Sequence, residues 1–326
     1  MAEKNNSRCS AGDRSLSSFE YEKTNLGVII TALKDKTLSE VVIPKGVVSI
    51  GDDAFAECEN LKSVDIPDSV TIIGKNAFFK CVSLQKVVIP NSVTKIGEHA
   101  FFGCVNLTDV ELSTCVKHIG TGAFFHCHSL TGLVIPNGLK KIGAFAFVCC
   151  KSLKEVVIPN GVMSIGERAF GSCSGLTSVV ISEGVKSMGA YLFSDCENLT
   201  NVVIGDGVTN IDSGTFAGCE GLTSIVIPAS VKKIGDRAFF GCSGLTSVNI
   251  PESVTSIGLR AFDNCASLKS VIIPERVIKI ETNAFNDCTD LETIYCRVKE
   301  KPSGWNKEWL GNINDKVKVE WGYKGE

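Results

Sequence analysis

Cysteine is the residue whose type and spacing most directly suggest chemistry in this 326-residue sequence. Eleven of the 15 cysteines recur every 23 residues, at Cys58, Cys81, Cys104, Cys127, Cys150, Cys173, Cys196, Cys219, Cys242, Cys265 and Cys288. Clustered thiols can bind metals or form disulfides. Thiols stacked in a straight line do not converge on zinc, and rungs about 4.8 Å apart hold Cβ atoms too far apart for a disulfide. The spacing therefore predicts buried thiols that face backbone groups, with no metal and no cofactor.

Two further patterns imitate reactive sites. Residues 171–175, Gly-Ser-Cys-Ser-Gly, resemble a nucleophile elbow, but Cys173 is one member of the cysteine column and is interpreted as structural. The four histidines are His99, His118, His126 and His128. Two of them flank the inward-facing Cys127, so we expect these two to face solvent on a different wall from His118, as surface residues and not as a metal site.

The elements that position these residues come from one repeating unit. From Leu38 to residue 290 the 23-residue register continues through eleven complete repeats without insertion or deletion. Phenylalanine recurs as strictly as cysteine, at Phe55, Phe78, Phe101, Phe124, Phe147, Phe170, Phe193, Phe216, Phe239, Phe262 and Phe285. A fixed period of this length predicts a solenoid whose stacked coils share one core.

Residues 61–81 show how one coil is built. The start, Leu-x-x-Val-x-Ile, alternates as on a β-strand, and Pro67 ends the strand because it has no N–H to donate. A second extended piece, Val-x-x-Ile, follows on the opposite wall, and Gly74 then permits a sharp bend or a positive φ. Ala77 and Phe78 suit a short helical turn. Each unit is thus one coil of a right-handed solenoid with parallel strands on one wall, here named the first wall.

A few substitutions interrupt this pattern. Leu192 and Thr215 replace the alanine that precedes the column phenylalanine, and Asp212 replaces the glycine. Because most departures fall between residues 176 and 221, we expect slight distortion there.

The repeated Leu-x-x-Val-x-Ile-Pro and Val-x-x-Ile-Gly-x-x-Ala-Phe-x-x-Cys segments resemble the BspA-like (Treponema-type) leucine-rich-repeat family of bacterial surface antigens. Residues 19–31 are similar to the degenerate first coil of such arrays, and residues 294–323 to their closing cap. The resemblance implies a curved leucine-rich-repeat solenoid, no shared catalytic residue, and adhesion to or recognition of other proteins at the cell surface.

The predicted domain organisation has four parts. Residues 1–17 form a polar, disordered tail that holds the most reactive thiol, Cys9; residues 18–37 form an N-terminal cap coil; residues 38–290 form eleven leucine-rich repeats; and residues 291–326 form a C-terminal cap. The N-terminal residues contain no apolar core of a signal peptide, which predicts a cytoplasmic chain as written. The family resemblance implies a cell-surface or secreted protein if a leader is missing.

Charge narrows the partner classes. Charged residues make up 21% of the chain and the formal net charge is −3, so nucleic acid is not an expected partner. Membrane insertion is not expected either, because the apolar stretch at residues 26–33 is far too short to span a bilayer. A lysine stripe follows the other wall, named here the second wall: Lys95, Lys117, Lys140, Lys141, Lys186, Lys232, Lys233 and Lys279. We interpret it as a solvated face, with partner steering as the alternative.

Outward positions of the first wall predict the main binding surface. Five consecutive coils carry valine there, at Val134, Val157, Val180, Val203 and Val226, and this set is named the valine ridge. Small polar residues surround the ridge, among them Thr177, Thr200 and Thr223. An apolar centre with a polar surround is typical of protein-binding patches. The alternative is that valine is present only for its β-propensity.

A secondary patch follows the buried phenylalanine column, at Phe79, Phe102 and Phe125. These rings either form a row on the surface or pack as additional core. The resulting function hypothesis is a non-enzymatic protein-binding or adhesion module that recognises a protein partner through its first wall. The alternative is a structural or self-assembling scaffold without a dedicated ligand. An enzyme is the remote alternative, because no acid, base and nucleophile converge.

Overall fold

A computed structural model describes residues 16–313 and 315–325. In chain order the strands are β1 (Phe19–Thr24), β2 (Gly27–Leu33), β3 (Glu40–Val42), β4 (Val47–Ile50), β5 (Ser63–Asp65), β6 (Ile72–Ile73), β7 (Lys86–Val88), β8 (Lys95–Ile96), β9 (Asp109–Glu111), β10 (His118–Ile119), β11 (Gly132–Leu133) and β12 (Lys141–Ile142). They continue with β13 (Glu155–Ile158), β14 (Ser164–Ile165), β15 (Ser178–Ile181), β16 (Asn201–Ile204), β17 (Asn210–Ile211), β18 (Ser224–Val226), β19 (Lys233–Ile234), β20 (Ser247–Asn249), β21 (Ser256–Ile257), β22 (Ser270–Ile273), β23 (Lys279–Ile280), β24 (Thr293–Cys296) and β25 (Lys318–Trp321).

Helix is nearly absent from this fold. In the described ranges the helices are two three-residue 3-10 turns, Leu16–Ser18 and Gly311–Ile313. No helix there is long and apolar enough to cross a membrane. The predicted polar tail and its thiol, Cys9, lie outside the described residues except for the last two positions of the tail.

Parallel strands line two walls of the solenoid and not one. The first wall carries three sheets, which are β3, β5, β7, β9 and β11; then β13, β15 and β16; then β18, β20, β22, β24 and β25. The second wall carries β2 and the even strands from β4 to β14, followed by β17, β19, β21 and β23. In the repeats, each ladder pairs a residue with the residue 23 positions on, such as Ile119 with Ile142. The second wall forms a ladder because its two-residue extended segments also meet their copies in the next coil.

The third side of each coil is a run of turns and not the short helical turn that the sequence predicts. Asn76 and Lys80 have φ angles of 52° and 53°. An α-helix requires a negative φ at every residue, so it cannot form through these positions. Backbone groups bond within the turn, as the Phe79 N–H does to the Asn76 carbonyl at 2.9 Å, and also to the next coil, as the Phe78 N–H does to the Ala100 carbonyl at 2.7 Å.

Close stacking explains the glycine that precedes these turns. A Cβ added to Gly97 or Gly120 would lie 2.5 Å from the carbonyl carbon of the corresponding glycine in the preceding coil. Of the two predicted reasons for this glycine, a sharp bend or a positive φ, the positive φ is found not at these glycines but two residues later, as at Asn76 and His99. This coil position therefore requires glycine because the backbones of adjacent coils are in contact there, and not because the backbone is left-handed at the glycine.

The interior consists of stacked columns. All eleven column phenylalanines have 0% exposure, and successive rings stack with planes within 18° of each other. The column cysteines are buried beside them, and so are the leucines that recur every 23 residues from Leu61 to Leu291, which form a leucine column. A single coil cannot bury its own apolar side chains. They are covered by the preceding and following coils, so each coil is stabilised by its two neighbours.

Coil spacing changes along the phenylalanine stack. Ring centroids are 5.1–5.2 Å apart from Phe78 to Phe170, which we name the tight segment. They are 5.6–5.9 Å apart from Phe170 to Phe239, the wide segment. The expected distortion is therefore present. Leu192 and Thr215 are fully buried in the wide segment, where the other coils have alanine, and their extra volume separates the coils.

Both ends of the core are covered. At the N-terminus β1 and β2 form an antiparallel hairpin, β2 pairs with β4, and the Phe19 ring lies edge-on to Phe55 at 6.2 Å. At the C-terminus β25 adds to β24, and the Trp309 ring lies edge-on to Phe285 at 5.9 Å. The Trp305 indole N–H donates to the Val277 carbonyl at 2.9 Å, which fixes the last coil.

Candidate binding surface

The valine ridge is solvent-accessible along most of its length. Val134 is 80% exposed and Val226 is 76% exposed, while Val157 and Val203 are 54% and 49% exposed. Val180 is half-buried. In β15 and its neighbours the alternate residues point inward, as the buried Val179 and Ile181 do, which leaves the ridge positions outside.

Two breaks in hydrogen bonding cross this surface. β11 and β13 belong to different sheets, and so do β16 and β18. Val134 follows the end of β11, Val157, Val180 and Val203 lie in one three-stranded sheet, and Val226 ends β18 in the next. The ridge is thus a row of side chains on adjacent coils and not the face of one continuous sheet.

The threonines beside the ridge use their hydroxyl groups within the wall. The Thr177 hydroxyl donates to the Lys154 carbonyl at 3.1 Å, and the Thr200 hydroxyl donates to the Thr177 carbonyl at 3.3 Å. The carbonyl of Thr223 accepts from the Thr246 hydroxyl at 3.1 Å. The hydroxyl groups of the exposed Thr177 and Thr200 therefore help to join adjacent coils, and Thr223 takes part through its carbonyl.

The outward side chains on β15, β16, β18 and β20 and just before them carry no charge. They are Thr177, Ser178, Val180, Thr200, Asn201, Val203, Thr223, Ser224, Val226, Thr246, Ser247 and Asn249. The N-terminal part of the same wall differs, because Lys86 pairs with Asp109 at 3.1 Å and also with Glu111. A partner that covers the uncharged part avoids the cost of removing water from ions.

Two open grooves on the first wall were not predicted from the sequence. One, of about 480 Å³, is lined near the N-terminus by Val42, Asp65 and Asp68. The other, of about 630 Å³, is lined by Asn249, Ile272 and Arg297 among others. Arg297 pairs across this groove with Glu252 at 3.3 Å. Each groove joins residues of different coils, and the sequence pattern does not show how deep such a depression is.

The secondary patch is a half-buried row of rings. Phe79, Phe102 and Phe125 stack at 5.0 and 5.1 Å. His99 and His126 lie edge-on to Phe102 at 5.5 and 5.9 Å. The row is intermediate between the two predicted alternatives, because its rings are neither fully exposed nor part of the closed core.

The cysteine column has a structural role. Each sulfhydryl from Cys81 to Cys288 donates to the carbonyl of the phenylalanine 26 residues earlier, at 3.0–3.4 Å. Cys173 is among them, and burial raises its thiol pKa to about 12. A thiol that stays protonated in a closed core is a poor nucleophile, so residues 171–175 are not a nucleophile elbow.

The histidines do not converge on one point. His126 Nδ1 lies 3.0 Å from His128 Nε2, and burial lowers the pKa of both imidazoles. His118 lies on the second wall, in β10. Among residues 16–313 and 315–325, no group of three or more His, Cys, Asp or Glu side chains is placed to hold a metal ion.

Comparison with known proteins identifies the fold family. The protein-family model described as "BspA type Leucine rich repeat region (6 copies)" matches residues 30–143, 94–223 and 209–303, which together cover most of the chain. The chain belongs to the BspA-type leucine-rich repeat family. A search of curated proteins finds no match to it.

Several solved leucine-rich repeat structures are similar to this BspA-type chain. A leucine-rich repeat protein from Bacteroides ovatus is 25% identical with a TM-score of 0.65, and the alignment covers 95% of this chain and 100% of that one. A leucine rich repeat protein of T. pallidum is 34% identical over 64% of this chain and 89% of that one, with a TM-score of 0.49. The pneumococcal vaccine antigen PcpA shares the fold at 17% identity and a TM-score of 0.55, covering 88% and 80%.

Proposed function

We propose that this chain is a non-enzymatic binding module whose protein partner docks on the valine ridge of the first wall. The observation that carries the proposal is the run of exposed valines on adjacent coils beside an uncharged surface. Burying Val203 and Val226, which are 49% and 76% exposed and lie in the uncharged part of the wall, would release water from apolar surface at little ionic cost. Val157 is also about half exposed, but the exposed Glu155 lies two residues before it on β13. The ends of the wall, which carry ion pairs, would form the polar rim.

The test compares two charge-matched double variants. Val157→Glu with Val203→Glu places two carboxylates on the ridge, whereas Val42→Glu with Val88→Glu places them at the same coil position outside it. Glutamate is compatible with this position because Glu111 occupies it naturally in β9. Both variants should therefore keep the far-ultraviolet spectrum of the native chain. The thermal midpoint of the ridge variant should stay close to native, whereas that of the control should fall slightly, because its new carboxylates lie beside Asp65 and Glu111.

The affinity of each variant is measured against a partner that is first isolated with the native chain and then purified. We expect the ridge variant to bind at least about tenfold more weakly, which corresponds to about 1.4 kcal/mol. The matched variant should stay within about twofold. Normal binding by a folded ridge variant would refute docking on this surface.

The alternative of a self-assembling scaffold is separated by sedimentation of the native chain over a wide concentration range. Growth in size with concentration that the ridge variant abolishes would assign the ridge to a second copy of the chain. For location we propose the cell surface, as the family resemblance implies. Labelling of intact cells with a membrane-impermeant reagent checks this, because a protein confined to the interior stays unlabelled.

A further inference from the structure

The second wall contains a concentrated group of basic side chains, four lysines and one histidine, in three consecutive coils. Lys95, His118 and Lys141 are in direct register on β8, β10 and β12, and Lys117 and Lys140 precede the latter two. All five side chains are exposed. Neighbouring parallel strands lie about 4.8 Å apart, so the group spans about 10 Å along the solenoid. We name these five residues the basic patch.

No carboxylate neutralises the basic patch. Residues 91–150 contain four lysines, all in the patch, and three acidic residues, which are Glu98, Asp109 and Glu111. Glu98 pairs with Lys75 and His99, and the other two pair with Lys86 on the first wall. Within the part of the chain that the structure describes, no patch lysine forms an ion pair.

One lysine of the same wall is neutralised farther along the solenoid. Lys279 occupies the coil position of Lys141 and pairs with Glu281 at 2.6 Å. In the patch coils glycine stands at the position of Glu281, for example Gly143. The turns before the second wall also differ: they carry Glu183, Asp206, Glu252 and Glu275 in later coils, but Asn91, Thr114 and Asn137 in the patch coils. Like charges at this spacing repel one another, and a bound polyanion would remove that repulsion.

We propose that the basic patch binds a linear sulfated polysaccharide. The evenly spaced ammonium groups match a polymer that carries an anion on each repeating sugar, and such a chain can lie across the strands. Lysine presents a compact point charge, and the patch has no arginine fork for bidentate phosphate contacts. Its one aromatic ring is the small His118 imidazole, and it has no Phe, Tyr or Trp to form a stacking platform for successive bases. The chain also has a formal net charge of −3, so the chemistry favours a polysaccharide over a nucleic acid.

Lys117→Thr with Lys140→Thr tests the patch in the full-length chain. Threonine is compatible with the fold because Thr71 and Thr94 occupy this coil position. The matched control is Lys186→Thr with Lys232→Thr, which makes the same substitution and the same charge change at the same coil position outside the patch. The probe is a heparin-derived octasaccharide, with its desulfated form and single-stranded poly(U) as comparisons.

We expect the patch variant to bind the octasaccharide at least about tenfold more weakly than the native chain in titration calorimetry at about 0.1 M salt. The slope of log affinity against log salt should fall by about 2, close to one per lysine removed. The control should stay within about twofold. Equal losses in both variants, equal binding of the desulfated probe, or tighter binding of poly(U) would each overturn the proposal.

This inference does not depend on the valine ridge. Val157→Glu with Val203→Glu should leave octasaccharide binding unchanged, since these residues lie on the first wall. Loss of protein binding in that variant together with retained octasaccharide binding would support both proposals. If octasaccharide binding is lost in it, the assignment to the second wall is wrong.

Discussion

The tight and wide segments are built from the same repeat, yet their coils are spaced differently. In the tight segment the ring centroids are 5.1–5.2 Å apart, and strands β6 to β14 continue through it on the second wall. In the wide segment they are 5.6–5.9 Å apart, and only an isolated bridge, Ser164 to Ser187, lies between β14 and β17. Phenylalanine is common to both segments, but Leu192 and Thr215 replace alanine beside the ring in the wide one, and we attribute the wider spacing to their extra volume.

The largest expected effect comes from removing one ring in each segment. Phe147→Ala should lower the free energy of unfolding by about 3–5 kcal/mol, because the ring is fully buried between close neighbours. Phe193→Ala should cost less, because its ring lies 5.7 and 5.9 Å from the neighbouring rings and makes weaker contacts. Urea titrations followed by circular dichroism measure both. An equal or larger cost at Phe193 would show that ring spacing does not control this energy.

A smaller loss of stability is expected when a large residue of the wide segment is introduced at the same coil position in the tight segment. Ala146→Leu places a leucine beside Phe147, at the coil position that Leu192 occupies in the wide segment. It should lower the free energy of unfolding by about 1–3 kcal/mol, because the core there becomes overpacked. A crystal structure of the variant should show the rings on either side moved apart toward the spacing of the wide segment. The control, Leu192→Met, conserves volume. Unchanged ring spacing in a folded Ala146→Leu variant would contradict the explanation of the difference.

The smallest effect concerns pH and belongs to the wide segment. Burial raises the pKa of Asp212 above its ordinary value of 3.8, an effect that Lys233 partly opposes. The pKa of Asp212 is higher in the folded chain than in the unfolded chain. Its contribution to stability is therefore fully present below the unfolded pKa and is lost as the pH rises through the folded pKa. Asp212→Asn should remove this fall, whereas Asp206→Asn on an exposed turn makes the same charge change as a control. Thermal midpoints between about pH 3 and pH 7 test this. If both variants keep the native slope, the assignment of this dependence to Asp212 is wrong.

Much of the architecture was predictable because every coil repeats the last. The columns of phenylalanine, leucine and cysteine and the distortion between residues 176 and 221 are confirmed. The predicted helical turn is wrong, since residues such as Asn76 and Lys80 take positive φ although their types do not demand it. The glycine that follows the second extended piece was recognised, but the positive φ offered as one of its two reasons is wrong. The backbone contact that requires glycine was not predicted, because a contact between coils leaves no signature in local propensity.

The valine ridge was predicted from strand alternation, and most of it is exposed. The sequence did not indicate that two breaks in pairing cross it, because hydrogen bonding depends on small shifts between coils. The pairing of the lysine stripe with carboxylates was likewise not predictable from the sequence. The members of the stripe look equivalent along the chain, but Lys279 has a carboxylate partner and Lys141 has none within the described residues.

The sequence by itself determined which side chains meet in the core, because an unbroken period of 23 residues places each residue against its own copy. The tertiary structure decided how far apart the coils lie, where the sheets break and which charges are paired. Those outcomes depend on volumes and carboxylates contributed by different coils and different walls. Their contacts arise only when the coils stack, so no single repeat contains them.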